Sequence, residues 1–135
     1  LNNIQIDNYD GTIFTTSGIN ITATGSATVV QLPVETFDTH NYLAASDIVI
    51  AKAGWGTISE ALLSKRNLVL IEREGVLEDT ENIEELKRRG VAVSIKESDL
   101  ANIDMQAITD LIAENIIREN LDACHNAIGD VIRAL

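Results

Sequence analysis

The chain has little cysteine, no basic residue in its first third, and no long apolar run. A single cysteine, Cys124, among 135 residues excludes an intrachain disulfide framework and a multi-cysteine zinc site, and points to a reducing, cytoplasmic setting. No apolar stretch approaches the roughly 18 residues of a membrane span, and no basic-then-apolar signal segment opens the chain. Every Lys and Arg lies from Lys52 onward; the first 51 residues carry only Asp7, Asp10, Glu35, Asp38 and Asp47 as charged groups. Ten Lys and Arg against 21 Asp and Glu leave a formal charge of −11, which argues against nucleic acid or an anionic membrane as partner. Any anionic ligand must therefore be met in the second part of the chain, by its few bases or by backbone N–H groups.

What is present fits one α/β domain. The hydrophobic share is 45% and the length is 135 residues, enough to bury roughly 70% of the unfolded surface without a metal or disulfide. The first residue is Leu1 rather than Met, so the sequence is expected to be a piece of a longer chain or a trimmed one, a single domain over 1–135 that is incomplete at its front. No internal repeat or low-complexity tract is evident. Thr12–Thr16 reads as a strand after the Asp10-Gly11 turn, 17–26 as a loop with a little extended structure, and Ala27–Leu32 as a strand closed by Pro33.

From Asp38 onward the rhythm changes. A short helix over Asp38–Ser46 precedes Asp47–Ala51, an apolar run of the type buried on both faces of a parallel sheet. Thr57–Lys65 is predicted as a helix with Ile58, Ala61 and Leu62 inward, and Asn67–Ile71 as a second buried strand. Asp79–Arg89 is a charged helix ended by Gly90, with Glu84–Arg88 and Glu85–Arg89 pairs on a solvated face. Val91–Ile95 is the next strand, and 104–135 is helical as two helices. Strand and helix alternating with short links predict a Rossmann-like parallel sheet with helices on both faces, and ligands at the carboxyl ends of the strands.

The segment that bears chemistry runs from Asp47 to Leu62. A buried strand leads into Gly54-Trp55-Gly56 and then a helix, opening at Gly56 or Thr57, whose first free N–H groups and positive dipole end suit a diphosphate. Gly54 and Gly56 would let a backbone approach closely. Glu60, near the end of the first helical turn, could accept two hydrogen bonds from ribose hydroxyls. On the residues alone, an ordinary glycine-containing turn with Ser59 and Glu60 as first-turn residues accounts for the same segment equally well.

Ala44-Ala-Ser-Asp-Ile-Val-Ile-Ala-Lys-Ala-Gly-Trp-Gly-Thr-Ile-Ser-Glu-Ala61 closely resembles the donor-binding signature of GT-B glycosyltransferases of the family 28 type, the class that includes the lipid II-forming N-acetylglucosaminyltransferase. Leu68-Val-Leu-Ile-Glu-Arg73 resembles the family's following strand, and Arg73, Glu78 and Gly90 resemble positions in one branch of it. The likeness spans about residues 28–96. It implies the C-terminal, nucleotide-sugar-binding lobe of a two-lobe enzyme that moves a sugar from a nucleotide diphosphate, UDP by resemblance, to an acceptor hydroxyl, with inversion. By the same resemblance the N–H groups of Trp55, Gly56 and Thr57 hold the donor diphosphate, and Gly54 permits the turn. Glu60 holds the ribose, with Ser59 and Thr57 fixing the helix start. Arg73 and Glu78 complete the nucleotide-sugar set. Lys52 matches a basic position ahead of the turn and is read as facing solvent rather than phosphate.

Two features depart from the family pattern. Asp79 stands three residues before Asn82, where many members carry a Gln that contacts the donor sugar. The front strand and Gly-rich loop of the family's lobe are not found. The resemblance implies no metal and no cofactor beyond the nucleotide-sugar substrate. The partner would be the missing acceptor lobe, or another chain, through which any membrane contact would run; the catalytic residue is unassigned, and the fragment alone is expected to be inactive. The alternative is a stand-alone soluble subunit that docks on a membrane-anchored protein, like the small half of the split transferase acting on dolichol-linked sugar; an apolar face around Ile116, Ile117 and Leu121 would favour it. A sugar-nucleotide epimerase would need a carboxylate–His set that this half does not show. His40 and His125 stand alone, Cys124-His125 would diverge on a helix, Trp55 is either a uracil platform or a cover for the sheet edge, and Tyr9, Phe14 and Phe37 are expected in the core.

Overall fold

A computed structural model of the chain describes residues 3–15, 19–32 and 39–121. The first four strands are β1 (Asn3–Asp7), β2 (Thr12–Thr15), β3 (Asn20–Ala23) and β4 (Thr28–Gln31), all short, Ile/Thr/Val-rich and bounded by turn residues. None forms a hairpin with its neighbour in sequence. β1 pairs with β3 and β2 with β4, both parallel, with Asn20 beside Asn3 and Thr28 beside Thr12. The chain therefore climbs as two stacked rungs, a structural repeat that the sequence did not betray. Asn8 (φ 61°) and Gly25 (φ 81°) turn the chain at corresponding places in the two rungs. β1 is absent from the sequence-based reading although Ile4 and Ile6 alternate with Asn3, Gln5 and Asp7, and β3 occupies part of the expected loop.

The second part runs α1 (Thr39–Ala45), β5 (Ile48–Lys52), α2 (Trp55–Leu63), β6 (Asn67–Glu72), α3 (Leu77–Arg88), β7 (Ala92–Lys96), a 3₁₀ turn (Glu97–Ala101), β8 (Ile103–Asp104) and α4 (Met105–Asn115). β5, β6 and β7 form a parallel sheet in that order, with Ile48 beside Asn67 and Leu68 beside Ala92. β6 lies in the middle and is apolar and buried from Leu68 to Ile71, because both its faces are dry there. Leu68 and Leu70 pack with Ile58, Leu62, Ile83 and Leu86 of α2 and α3. Val69 and Ile71 pack on the other face with Ile6, Val93, Ile103 and Ile108. α4 and the strands β1 and β8 share the cover of that second face, and β8 pairs with β1 through Ile6 and Ile103. The result is the expected α/β, Rossmann-like parallel arrangement, fronted by the two-rung coil.

β5 departs from expectation. Its apolar residues are half-buried rather than buried, because it is the edge of its three-stranded sheet. α3 ends as read: Gly90 takes φ 71°, its N–H donates to Lys87 O, and the Val91 N–H donates to Leu86 O. On the α3 surface Glu85 pairs with Arg89 as expected, but Arg88 also turns to Glu85, and Glu84 faces Lys87 instead. Tyr9 packs on the second core, whereas Phe14 is 42% exposed and tilts against Tyr42, since β2 belongs to a two-stranded sheet too small to bury both its faces. α4 stops at Ile116 and 118–121 are helical again; the rest of the helical reading, 122–135, lies outside the described residues. The readings made for Pro33, Phe37, Cys124 and His125 lie outside the described residues, as does that for the side chain of His40.

Candidate nucleotide-sugar site

The carboxyl end of β5 runs directly into α2. Gly54 is the N-cap residue, in extended conformation (φ −92°, ψ 137°), and its N–H donates back to Lys52 O at 2.8 Å. The Ile58 N–H donates to Gly54 O at 3.0 Å, the first internal bond of the helix. The N–H groups of Trp55, Gly56 and Thr57 precede that bond, and no side chain caps them. Burial of Ile58, Ala61 and Leu62 against β6 draws the helix onto the sheet, and it opens at Trp55, one residue before Gly56 and two before Thr57, the predicted starts. Trp55, Gly56 and Thr57 are thus its first three residues, and Glu60 begins the second turn instead of ending the first. Glu60 is exposed, while Thr57 and Ser59 are half-buried beside it.

The two glycines inform the choice between a plain turn and a ligand-facing one. A Cβ at Gly54 or at Gly56 would meet nothing within 4 Å, and neither residue takes a positive φ. The fold itself therefore does not require glycine at either position; the space they leave opens outward. Trp55 is half-buried and packs against the first core.

Arg73 follows β6 on the same rim, because Lys52 of β5 lies beside Ile71 in the sheet. Its guanidinium grips Asp79 of α3, Nε to Oδ2 at 2.5 Å and Nη2 to Oδ1 at 3.0 Å. Asp79 is only 5% exposed. The hydrogen bonds from Arg73 hold its carboxyl below the usual carboxylate range, against the opposing effect of burial and with a smaller contribution from Lys52. The same bonds raise the Arg73 pKa. The residue that replaces the family's Gln is thus engaged with an arginine of its own chain. Sequence reading named Asp79 only as a departure and missed this partnership; the available signal was an acidic first-turn residue six positions after an arginine, across a Gly75 turn of φ 79°. Lys52 is exposed at the end of β5, in keeping with its solvent reading. The structure brings Gly54–Glu60 together at the start of α2 and sets Arg73 on the adjacent strand end. Glu78 is exposed in the first turn of α3 and is not joined to Arg73.

The model of the glycosyltransferase family 28 C-terminal domain matches residues 17–127. The chain belongs to this family. The match reaches from before β3 to beyond α4, wider than the stretch over which the resemblance is legible in the residues. Among curated proteins, none matches the chain. As a family 28 C-terminal domain it is a domain of a glycosyltransferase, and the strand–turn–helix around Gly54 lies within the matched residues. Among the described residues, no helix is long and apolar enough to cross a membrane.

Proposed function

We propose that this domain holds the nucleotide diphosphate sugar, UDP-linked, from which a glycosyltransferase transfers the sugar to an acceptor hydroxyl. The supporting observation is the uncapped start of α2 at the carboxyl end of β5, where three backbone N–H groups sit behind two glycines that open to solvent. The diphosphate lies on the N–H groups of Trp55, Gly56 and Thr57, at the positive end of the helix dipole. The Glu60 carboxylate accepts from the ribose hydroxyls, one turn further on. When the sugar leaves, charge grows on the diphosphate, and these pre-oriented donors stabilise it without rearranging. Arg73 lies on the neighbouring strand end, towards the sugar. No residue of this domain is assigned as the base that activates the acceptor, so the domain on its own binds donor and turns nothing over.

The second reading, a subunit docked on a membrane-anchored partner, looks to an apolar face at Ile116, Ile117 and Leu121. Leu121 is buried and Ile116 packs on both cores, so among the described residues that face reduces to Ile117. The donor-lobe reading is the better supported. Calorimetric titration with UDP, GDP and ADP tests it: UDP binding should saturate, and Glu60→Ala should weaken it by about 1–3 kcal/mol through lost charged hydrogen bonds. A folded chain that binds no nucleotide would overturn it.

A further inference from the structure

A space of about 530 Å³ lies beside β5, on the face of the sheet turned away from α2. Ile48 and Ile50 of β5, Ile4 of β1, Ile21 of β3 and Ile13 of β2 stand half-buried around it. Ile71, Ile103 and Met105 are buried beneath them. A folded interior holds few voids larger than a water molecule. This one is far larger, and water in it would find too few polar partners along the isoleucine walls. Its size falls in the range of small-molecule pockets, roughly 300–1,000 Å³.

The lining selects the ligand. The space opens where Thr12, Phe14 and Asp47 are exposed. Of the described residues that line it, only Asp47 is charged. A carboxylate or phosphate would meet like charge there, with no lining cation to offset its desolvation. A neutral hydroxyl does find partners. The Ser46 hydroxyl donates to Tyr42 O at 2.6 Å and keeps its lone pairs to accept. The Tyr9 ring folds so closely over Gly11 that a Cβ there would lie 2.6 Å from the phenol oxygen, which fixes a second hydroxyl in the lining.

We propose that this space binds a neutral, mostly apolar small molecule ending in one hydroxyl, its body against the isoleucines and its hydroxyl at Ser46 and Tyr9. Ser46 and Asp47 lie at the amino end of β5, whereas α2 starts at the carboxyl end and packs on the other face. The site is therefore separate from the diphosphate position, and it stands or falls independently of the donor-lobe reading.

Titration of the chain, labelled at its isoleucine methyls, with butanol, hexanol, octanol and octanoate tests this, with thermal melts alongside. Octanol should bind at one saturable site and raise the Tm. It should shift Ile13, Ile21, Ile48 and Ile50 while Ile58 and Ile83 of the first core stay in place. Each methylene from butanol to octanol should tighten binding about 2- to 4-fold. Octanoate should bind at least about 10-fold more weakly than octanol, and Asp47→Asn should narrow that gap. Ile13→Phe, which puts a larger side chain into the space, should weaken octanol several-fold. The proposal is overturned if octanol does not saturate, if its shifts spread evenly over both cores, if octanoate binds as tightly as octanol, or if Ile13→Phe, shown folded by its amide spectrum, binds octanol as well as the parent. A chain that sediments as a dimer with those methyls already shielded would overturn it too, a second copy then being what fills the space. Should Ile13→Phe fail to fold, the chain-length series and Asp47→Asn decide.

Discussion

Arg73 and Asp79 clamp the β6–α3 loop with a two-pronged ion pair, and the acidic partner is the buried one. Asp79 is held ionised in the folded chain, so its folded pKa lies below the unfolded value of about 3.9. A group shifted in that direction contributes stability that is present above the unfolded pKa and is lost as the pH falls through the folded one. Asp79→Asn should lower the Tm by several degrees at pH 7, and the gap between variant and parent should close as the pH is taken below the carboxylate range. Thermal melts followed by circular dichroism across that range check it. Arg73 is partly solvated, which tempers the effect.

Gly90 ends α3 at φ 71°, and a Cβ there would lie 2.9 Å from Ile117 Cδ1. The left-handed conformation costs a non-glycine residue about 1–2 kcal/mol, and the Ile117 side chain must also yield. Gly90→Ala should therefore destabilise the chain by at least about 1 kcal/mol in urea unfolding. It should also loosen the contact that carries the chain onward, where the Ile117 N–H donates to Gly90 O at 2.8 Å.

Gly56 behaves in the opposite way. It lies within α2 at a negative φ with open space where a Cβ would stand, so Gly56→Ala should leave stability unchanged or raise it by about 0.5–1 kcal/mol. The added methyl would stand in the path of a ligand approaching the α2 N–H groups. UDP affinity should fall while the Tm does not. A variant that binds UDP as well as the parent would show that the phosphates do not approach over Gly56.

Leu70 and Ile48 lie on neighbouring strands, one central and one at the edge. Leu70 is fully buried, and Leu70→Ala should cost about 2–5 kcal/mol. Ile48 is half-buried, and Ile48→Ala should cost roughly 1–2 kcal/mol. Equal losses in denaturant melts would mean that the edge of the sheet is covered in solution.

Local chemistry was legible wherever one short stretch carries both the pattern and its consequence. The strand Asn67–Ile71, the turn at Gly54–Gly56, the stop at Gly90 and the charged face of α3 can each be read within a few residues, and each was found within one or two positions. Partnerships between residues far apart along the chain were not legible. Asp104 of β8 accepts from Asn8 at 2.8 Å, and Arg118 reaches Asn67 at 3.1 Å; no local periodicity announces either contact. The start of α2 lies one or two residues before the expected Gly56 or Thr57 because glycine's low helix propensity argues for a later start, while burial of Ile58 and Leu62 outweighs it.

The residues by themselves determined the alternation of strands and helices from Asp47 onward, the glycine turn at the end of a parallel strand, and an acidic surface, because hydrophobic period, turn chemistry and charge are local properties. The parallel pairing of β1 with β3 and of β2 with β4, the edge position of β5 and the engagement of Asp79 by Arg73 were decided by tertiary structure. Parallel pairing joins strands that are not consecutive in sequence, and whether a side chain faces core, partner or solvent depends on what the rest of the chain packs against it.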